Sequence, residues 1–158
     1  MAQKIAVFSN KKYYQVQFED VILYRWLLQI GLTPHKSKTL SALKIPDKYF
    51  PDFLRGCFDG DGSCCSYWDK RWKSSFMFYI YFYSGSLTFI KWFKNKLKSL
   101  FNIRGATSKE YRAWRLKYAK KESKILFSKM YHKRENLPCL ERKYKKLKTI
   151  LEIDNKTL

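Results

Sequence analysis

Between Phe76 and Tyr83 the chain reads Phe-Met-Phe-Tyr-Ile-Tyr-Phe-Tyr, and its alternate positions differ in kind. Phe76, Phe78, Ile80 and Phe82 form one set; Met77, Tyr79, Tyr81 and Tyr83 form the other. Successive side chains of a strand point to opposite sides, so the segment predicts a strand with one dry face on a core and one phenol-rich face away from it. With 46% hydrophobic and 18% aromatic residues in 158, there is apolar material for one domain, or one domain and a small appended unit, and disorder as the main state is excluded.

Around that strand the pattern is regular. Tyr14 to Phe18 reads as a strand, and Asp20 caps a helix with Val21, Tyr24, Leu27 and Leu28 on one face, stopped by Gly31. Thr33 to Leu43 is a polar connector that exposes Lys36 and Lys38. Pro46 and Asp47 announce a helix whose stripe is Phe50, Phe53, Leu54, Cys57 and Phe58, ending at Gly60-Asp61-Gly62. A strand from about Ser63 to Trp72 precedes the alternating one. Ser84-Gly85-Ser86 then caps a helix bearing Leu87, Ile90, Phe93, Leu97 and Leu100. Gly105 opens a second hairpin with Trp114, Leu116 and Tyr118 inward. Helices follow near Lys121 to Tyr131 and, after Pro138, with Leu140, Tyr144, Leu147 and Leu151 on one side. From residue 50 onward this predicts an α+β fold: one antiparallel four-stranded sheet with helices on one face.

The charge points to a partner. Lys and Arg number 33 against 13 Asp and Glu, a formal +20, which opposes compaction unless a polyanion is bound. No apolar run reaches a membrane span and no signal peptide opens the chain, so nucleic acid is the expected partner and an intracellular compartment (cytoplasm, nucleoid or organelle) the expected location. Cys57, Cys64, Cys65 and Cys139 contain no Cys-x-x-Cys pair and are expected to be small buried hydrophobes; His35 and His132 have no ligand spacing.

The stretch Leu54-Arg55-Gly56-Cys57-Phe58-Asp59-Gly60-Asp61-Gly62 resembles the nine-residue signature of the LAGLIDADG homing endonucleases, agreeing at Leu54, Gly56, Asp59, Asp61 and Gly62. Arg55, Cys57, Phe58 and Gly60 depart from the name sequence. The αββαββα order that follows strengthens the resemblance, as do Phe53, Ser63, Ser84-Gly85-Ser86 and Leu140-Glu141-Arg142-Lys143-Tyr144. It covers about Ile45 to Leu151. The expected organisation is an endonuclease domain over 45–152, a tail over 153–158, and an extension over 1–44 that resembles the closing strands and helix of a preceding repeat.

Gly56 and Gly60, four apart, leave one helix face without side chains, which lets two helices approach closely. Two such helices deliver two Asp61 carboxylates to one place, where oxygen ligands suit Mg²⁺ or another divalent cation such as Mn²⁺, with the Gly60 carbonyl as a neighbour. Asp59 and Asp61 as simple turn residues are the plainer reading, accepted for Asp59 at the helix end. With one motif present, the resemblance implies a homodimer through Leu54, Gly56, Cys57, Asp59 and Gly60 on a near-palindromic double-stranded DNA site. Half of a former two-motif protein is the alternative.

The resemblance also implies a saddle-shaped sheet on the major groove. Its exposed face would offer Tyr67, Asp69 and Arg71, then Met77, Tyr79, Tyr81 and Tyr83, then Thr107, Lys109, Arg115 and Lys117. It further implies a catalytic lysine after the fourth strand, matched by Lys120 with Lys121 as alternative, and a polar water-contacting residue at Ser86. Lys143, Lys145, Lys146 and Lys148 are expected on a solvated or phosphate-facing surface. Two functions stand side by side: a metal-dependent, site-specific endonuclease of intron-encoded or free-standing origin, and a non-cleaving DNA- or RNA-binding maturase or regulator on the same scaffold.

Overall fold

The alternating segment is the longest strand among the described residues. The computed structural model describes residues 4–7, 14–17, 19–72, 75–132 and 137–156, the first two stretches as backbone only; Phe18 of the first expected strand lies outside the described residues. Strands β1 (Lys4–Val7) and β2 (Tyr14–Gln17) pair antiparallel and lead into helix α1 (Val21–Ile30). A single 3₁₀ turn, Asp47–Tyr49, enters α2 (Phe50–Asp61). There follow β3 (Ser63–Trp68), β4 (Phe76–Ser84), α3 (Leu87–Phe101), β5 (Ala106–Lys109), β6 (Trp114–Tyr118), α4 (Lys120–Met130) and α5 (Glu141–Lys156). The fold is α+β, as expected: β3 to β6 form one four-stranded antiparallel sheet in the order β3-β4-β6-β5.

The dry face of β4 behaves as its pattern demands. Phe76, Phe78, Ile80 and Phe82 are buried with Leu116 and Tyr118 of β6, beneath Leu54 and Phe58 of α2, Ile90, Phe93 and Leu97 of α3, and Leu126 and Met130 of α4. The helices are stopped by local chemistry. Asp20 accepts a hydrogen bond from the Leu23 amide at 2.9 Å, and Gly31, at φ 101°, closes α1 in the left-handed region that a side chain would strain. Ser86 Oγ accepts from the Phe89 amide at 3.2 Å to begin α3, and Ser123 Oγ donates to the Tyr118 carbonyl at 3.0 Å, tying α4 to the sheet. At Gly62 a Cβ would lie 2.6 Å from Phe58 Cα, so the return of the chain from α2 into β3 admits only glycine.

Four expectations change. The strand expected from about Ser63 to Trp72 ends at Trp68, because Asp69 takes the chain into a turn: its carboxylate accepts from the Arg71 amide at 3.0 Å and its carbonyl from the Trp72 amide at 3.1 Å. The boundary expected at residue 152 falls inside α5, where fully buried Asp154 forms ion pairs with Lys120 and Lys124 of α4. Among the cysteines only Cys64 is fully buried; Cys57, Cys65 and Cys139 are half-buried and all four are free thiols. The apolar stripe of α1 covers no core: Val21 is 63% and Tyr24 51% exposed. No helix among the described residues is long and apolar enough to cross a membrane.

Candidate functional site

Helix geometry sorts the motif into faces. Positions 50, 54 and 58 recur every four residues, and Phe50, Leu54 and Phe58 accordingly point into the core at 0% exposure. Gly56 and Gly60 lie on the opposite side and are exposed, and a Cβ built on either meets nothing within 4 Å. Leu54 is therefore not available to a partner, contrary to the expected interface. Asp59 is also turned away from the glycine face, toward α5. Cys57 flanks that face, half-buried, and with Asp61 lines a cavity of about 300 Å³ under Leu32, Leu40 and Leu43. Burial, followed by the nearby Asp61 carboxylate, pushes the Cys57 thiol up to about 12.

Asp61 closes α2. Its carboxylate is exposed and makes no hydrogen bond or ion pair among the described residues. Beside it stands Lys143, one of the lysines expected on a solvated or phosphate-facing surface. Lys143, in the first turn of α5, donates from Nζ to the carbonyls of Phe58 at 2.7 Å, Asp59 at 2.9 Å, Gly60 at 3.2 Å and Gly62 at 2.7 Å. An ammonium has three protons for these four acceptors, so it serves as a collective cap on the carbonyls that end the helix, of which that of Phe58 also accepts from the Gly62 amide. Burial and Arg142 lower the Lys143 pKa, with Asp59 and Asp61 acting the other way. The Gly60 carbonyl, expected to lean on a metal ion, is thus engaged by an ammonium.

Two motif side chains hold α5 at this spot. Asp59 Oδ2 accepts from the Leu140 amide at 2.9 Å. One turn earlier, buried Arg55 donates to the Pro138 carbonyl at 3.0 Å and the Met130 carbonyl at 3.1 Å, and pairs with Asp52 at 2.7 Å.

The other expected catalytic groups are elsewhere. Lys120 begins α4, donates to the Phe76 carbonyl at 3.3 Å and is paired with Asp154. Phe76 pairs with Trp68, whereas Ser63, two residues past Asp61, pairs with Tyr81. The two sites are separated by five residues of β4, roughly 17 Å at strand rise. Lys121, the alternative, is exposed on the same first turn. Ser86 is 2% exposed, its hydroxyl donated to the Leu40 carbonyl and accepting from the Phe89 amide; it is a helix cap out of reach of bulk water.

The open face of the sheet gathers most, not all, of the expected contact residues. Cross-strand pairing places Tyr67 beside Met77, Lys117 beside Tyr81 and Arg115 beside Tyr83, all on the side away from the helices. Tyr67 and Tyr79 share a hydrogen bond at 3.4 Å, which with burial raises Tyr79 to about 12; burial and a hydrogen bond with Cys65 raise Tyr81. Lys117 Nζ sits 3.8 Å over the Tyr79 ring, and the Arg115 guanidinium 5.5 Å over that of Tyr81. With ring faces covered by cations and neighbouring rings, it is the phenol edges that point outward. Arg115 is also paired with Glu110 at 3.1 Å and donates to Ser108 at 3.2 Å.

Thr107 and Lys109 fall on the other side, opposite Leu116 and Trp114; their place on the open face is taken by Ala106 and Ser108. Asp69 and Arg71 lie beyond the strand, in the hairpin turn, bound to each other at 2.9 Å, and those contacts hold the Asp69 carboxyl down at about 2. Trp72, 69% exposed, and Tyr111, 90% exposed, stand at the two hairpin tips and were not among the expected contact residues, although the sequence pattern already turns Tyr111 outward.

At this helix end one protomer offers the Asp61 carboxylate alone, and no group of three His, Cys, Asp or Glu side chains able to hold a metal ion occurs among the described residues. An exposed carboxylate at a helix C-terminus, where the backbone adds negative potential, suits a hard divalent cation when a second acid joins it.

No family model matches the chain, and no curated protein matches it. Among solved structures, the homing endonuclease I-CvuI, crystallised with an I-CreI target in the presence of Mg and with its DNA uncleaved, is similar over 70% of this chain and 71% of that one. The identity is 12% and the TM-score 0.49, a likeness of chain path too loose to bear on activity.

Proposed function

We propose that this protein is a metal-dependent, site-specific endonuclease that acts on double-stranded DNA as a homodimer. The observation that carries the reading is the bare stripe of Gly56 and Gly60, exposed on α2 and leading straight to an unpartnered Asp61. A surface without side chains gains nothing from water and much from a second backbone at close range. Two copies meeting there place two Asp61 carboxylates together, completing the cation site that one chain leaves unfinished. The sheet then forms one continuous basic and phenolic surface across both protomers, suited to a chain of +20.

In this reading Asp61 of each protomer would hold Mg²⁺ or a similar cation, which when bound would supply Lewis acidity and a more acidic water. Lys143 keeps a positive charge at the same helix end, opposing the negative charge that builds on the phosphate oxygens. Water oxygen forms the new bond to phosphorus as the bond to the departing sugar oxygen breaks; the proton lost from water passes to solvent and the sugar oxygen takes one up. Tyr67, Tyr79, Tyr81 and Lys117 orient the duplex through base edges and phosphates.

The test is incubation of the protein with Mg²⁺ and a randomised duplex library. Recovery of cut, near-palindromic sites by the wild type and none by Asp61→Asn is the expected outcome. Binding without cutting, unaffected by Asp61→Asn, supports the maturase or regulator reading instead.

A further inference from the structure

Arg55 and Asp59 occupy motif positions that the glycine face does not use, yet both are committed to backbone atoms of one distant connector. Arg55 grips the carbonyls of Met130 and Pro138, and Asp59 accepts from the amide of Leu140, so the end of α4 and the residues just before α5 are held at three points by one face of α2. None of these contacts reads a side chain of the connector. The second oxygen of Asp59 and the hydroxyl of buried Tyr131 are both enclosed without a hydrogen-bond partner among the described residues, so the junction is polar as well as packed. Three residues beyond the last grip point, Lys143 lays its ammonium over the end of the same helix.

We infer that Arg55 and Asp59 are positioning residues: a backbone clamp that fixes the first turn of α5 so that Lys143 stands at the Asp61 end of α2. A lysine side chain has four rotatable bonds, and its charge is worth most when its backbone cannot drift. The clamp sets that backbone from the very helix that carries Asp61, so the cation and the carboxylate keep register with each other. The inference rests on the proposed nuclease reading for its purpose, and on the hydrogen bonds alone for its existence.

Two arms test it. In the first, amide hydrogen exchange is followed by NMR. An amide preceding the first turn of a helix normally exchanges freely, so slow exchange at Leu140 in the wild type is expected from the clamp, and rapid exchange there overturns it without any variant. Asp59→Asn, which keeps an acceptor oxygen, is expected to retain the protection; Asp59→Ala is expected to lose it and to quicken exchange over Glu141–Lys145. In the second arm, Mg²⁺-supported cleavage by Asp59→Ala falls roughly 10- to 100-fold in kcat with DNA affinity kept, Asp59→Asn recovers most of it, and Asp59→Ala adds no further loss in a Lys143→Met background. A loss that multiplies in full with Lys143→Met overturns the positioning role. If the wild type cuts no duplex, the nuclease reading fails by itself while the exchange data still decide on the clamp.

Discussion

Replacing Gly56 by leucine separates the stability of the protomer from that of the dimer. Inside one protomer nothing lies within 4 Å of a Cβ at this position, so the new side chain meets no obstacle. Exchanging glycine for leucine in an exposed helix interior then favours the fold by about 0.5–1 kcal/mol through backbone entropy alone. At a close helix-to-helix contact the same side chain is an overpacking mutation costing about 1–3 kcal/mol, and a twofold interface carries it twice. The dimer should weaken by about 2–6 kcal/mol, at the low end a loss of roughly 30-fold in its association constant. Sedimentation equilibrium reads the association constant and thermal unfolding reads the protomer. A leucine variant that dimerises as tightly as the wild type, or a protomer that is itself destabilised, refutes the claim that the glycines exist to be covered by a second helix.

Lys143→Met should lower Mg²⁺-dependent cleavage by on the order of 100-fold while leaving DNA affinity nearly intact, whereas Lys120→Met should leave cleavage per folded molecule unchanged and lower the melting temperature, because it strips one of two cations from buried Asp154. Although burial opposes it, the close ammonium groups of Lys120 and Lys124 hold the Asp154 pKa below its ordinary value; a carboxyl lowered in the folded state contributes stability above the unfolded pKa and loses it as pH falls through the folded one. Denaturant titrations between pH 2 and 5 should therefore show a steeper acid loss in the wild type than in Asp154→Asn. With its thiol raised to about 12, Cys57 should stay unmodified by iodoacetamide at pH 8 in the native protein and react on unfolding, as followed by peptide mass spectrometry.

What was legible in the sequence was whatever depends on local period and local chemistry. The alternation of β4, the caps Asp20 and Ser86 and the stop at Gly62 each rest on a few adjacent residues, and each stands in the structure. The short strand β5 carries no apolar alternation to betray its phase, and pairing with β6 turned Ser108 rather than Thr107 to the open face. Leu54 looked like part of an interface because the motif was taken as a string; wound at 3.6 residues per turn, it lies opposite Gly56. Lys143 was hidden among the neighbouring lysines of α5, since its distinction comes from carbonyls 81 to 85 residues earlier in the chain. Helix α1 shows the reverse: its caps were readable, but no periodicity reveals that Val21, Ile22 and Trp26 remain uncovered.

The shared site is tested most directly by mixing. Wild-type and Asp61→Asn chains, refolded together in varied ratio, form dimers at random, and cleavage of both strands is followed against the wild-type fraction. If each cut needs an Asp61 from both protomers, activity follows the square of that fraction. Activity in simple proportion to it would mean that one chain holds a complete site, and the account of the glycine face would be wrong.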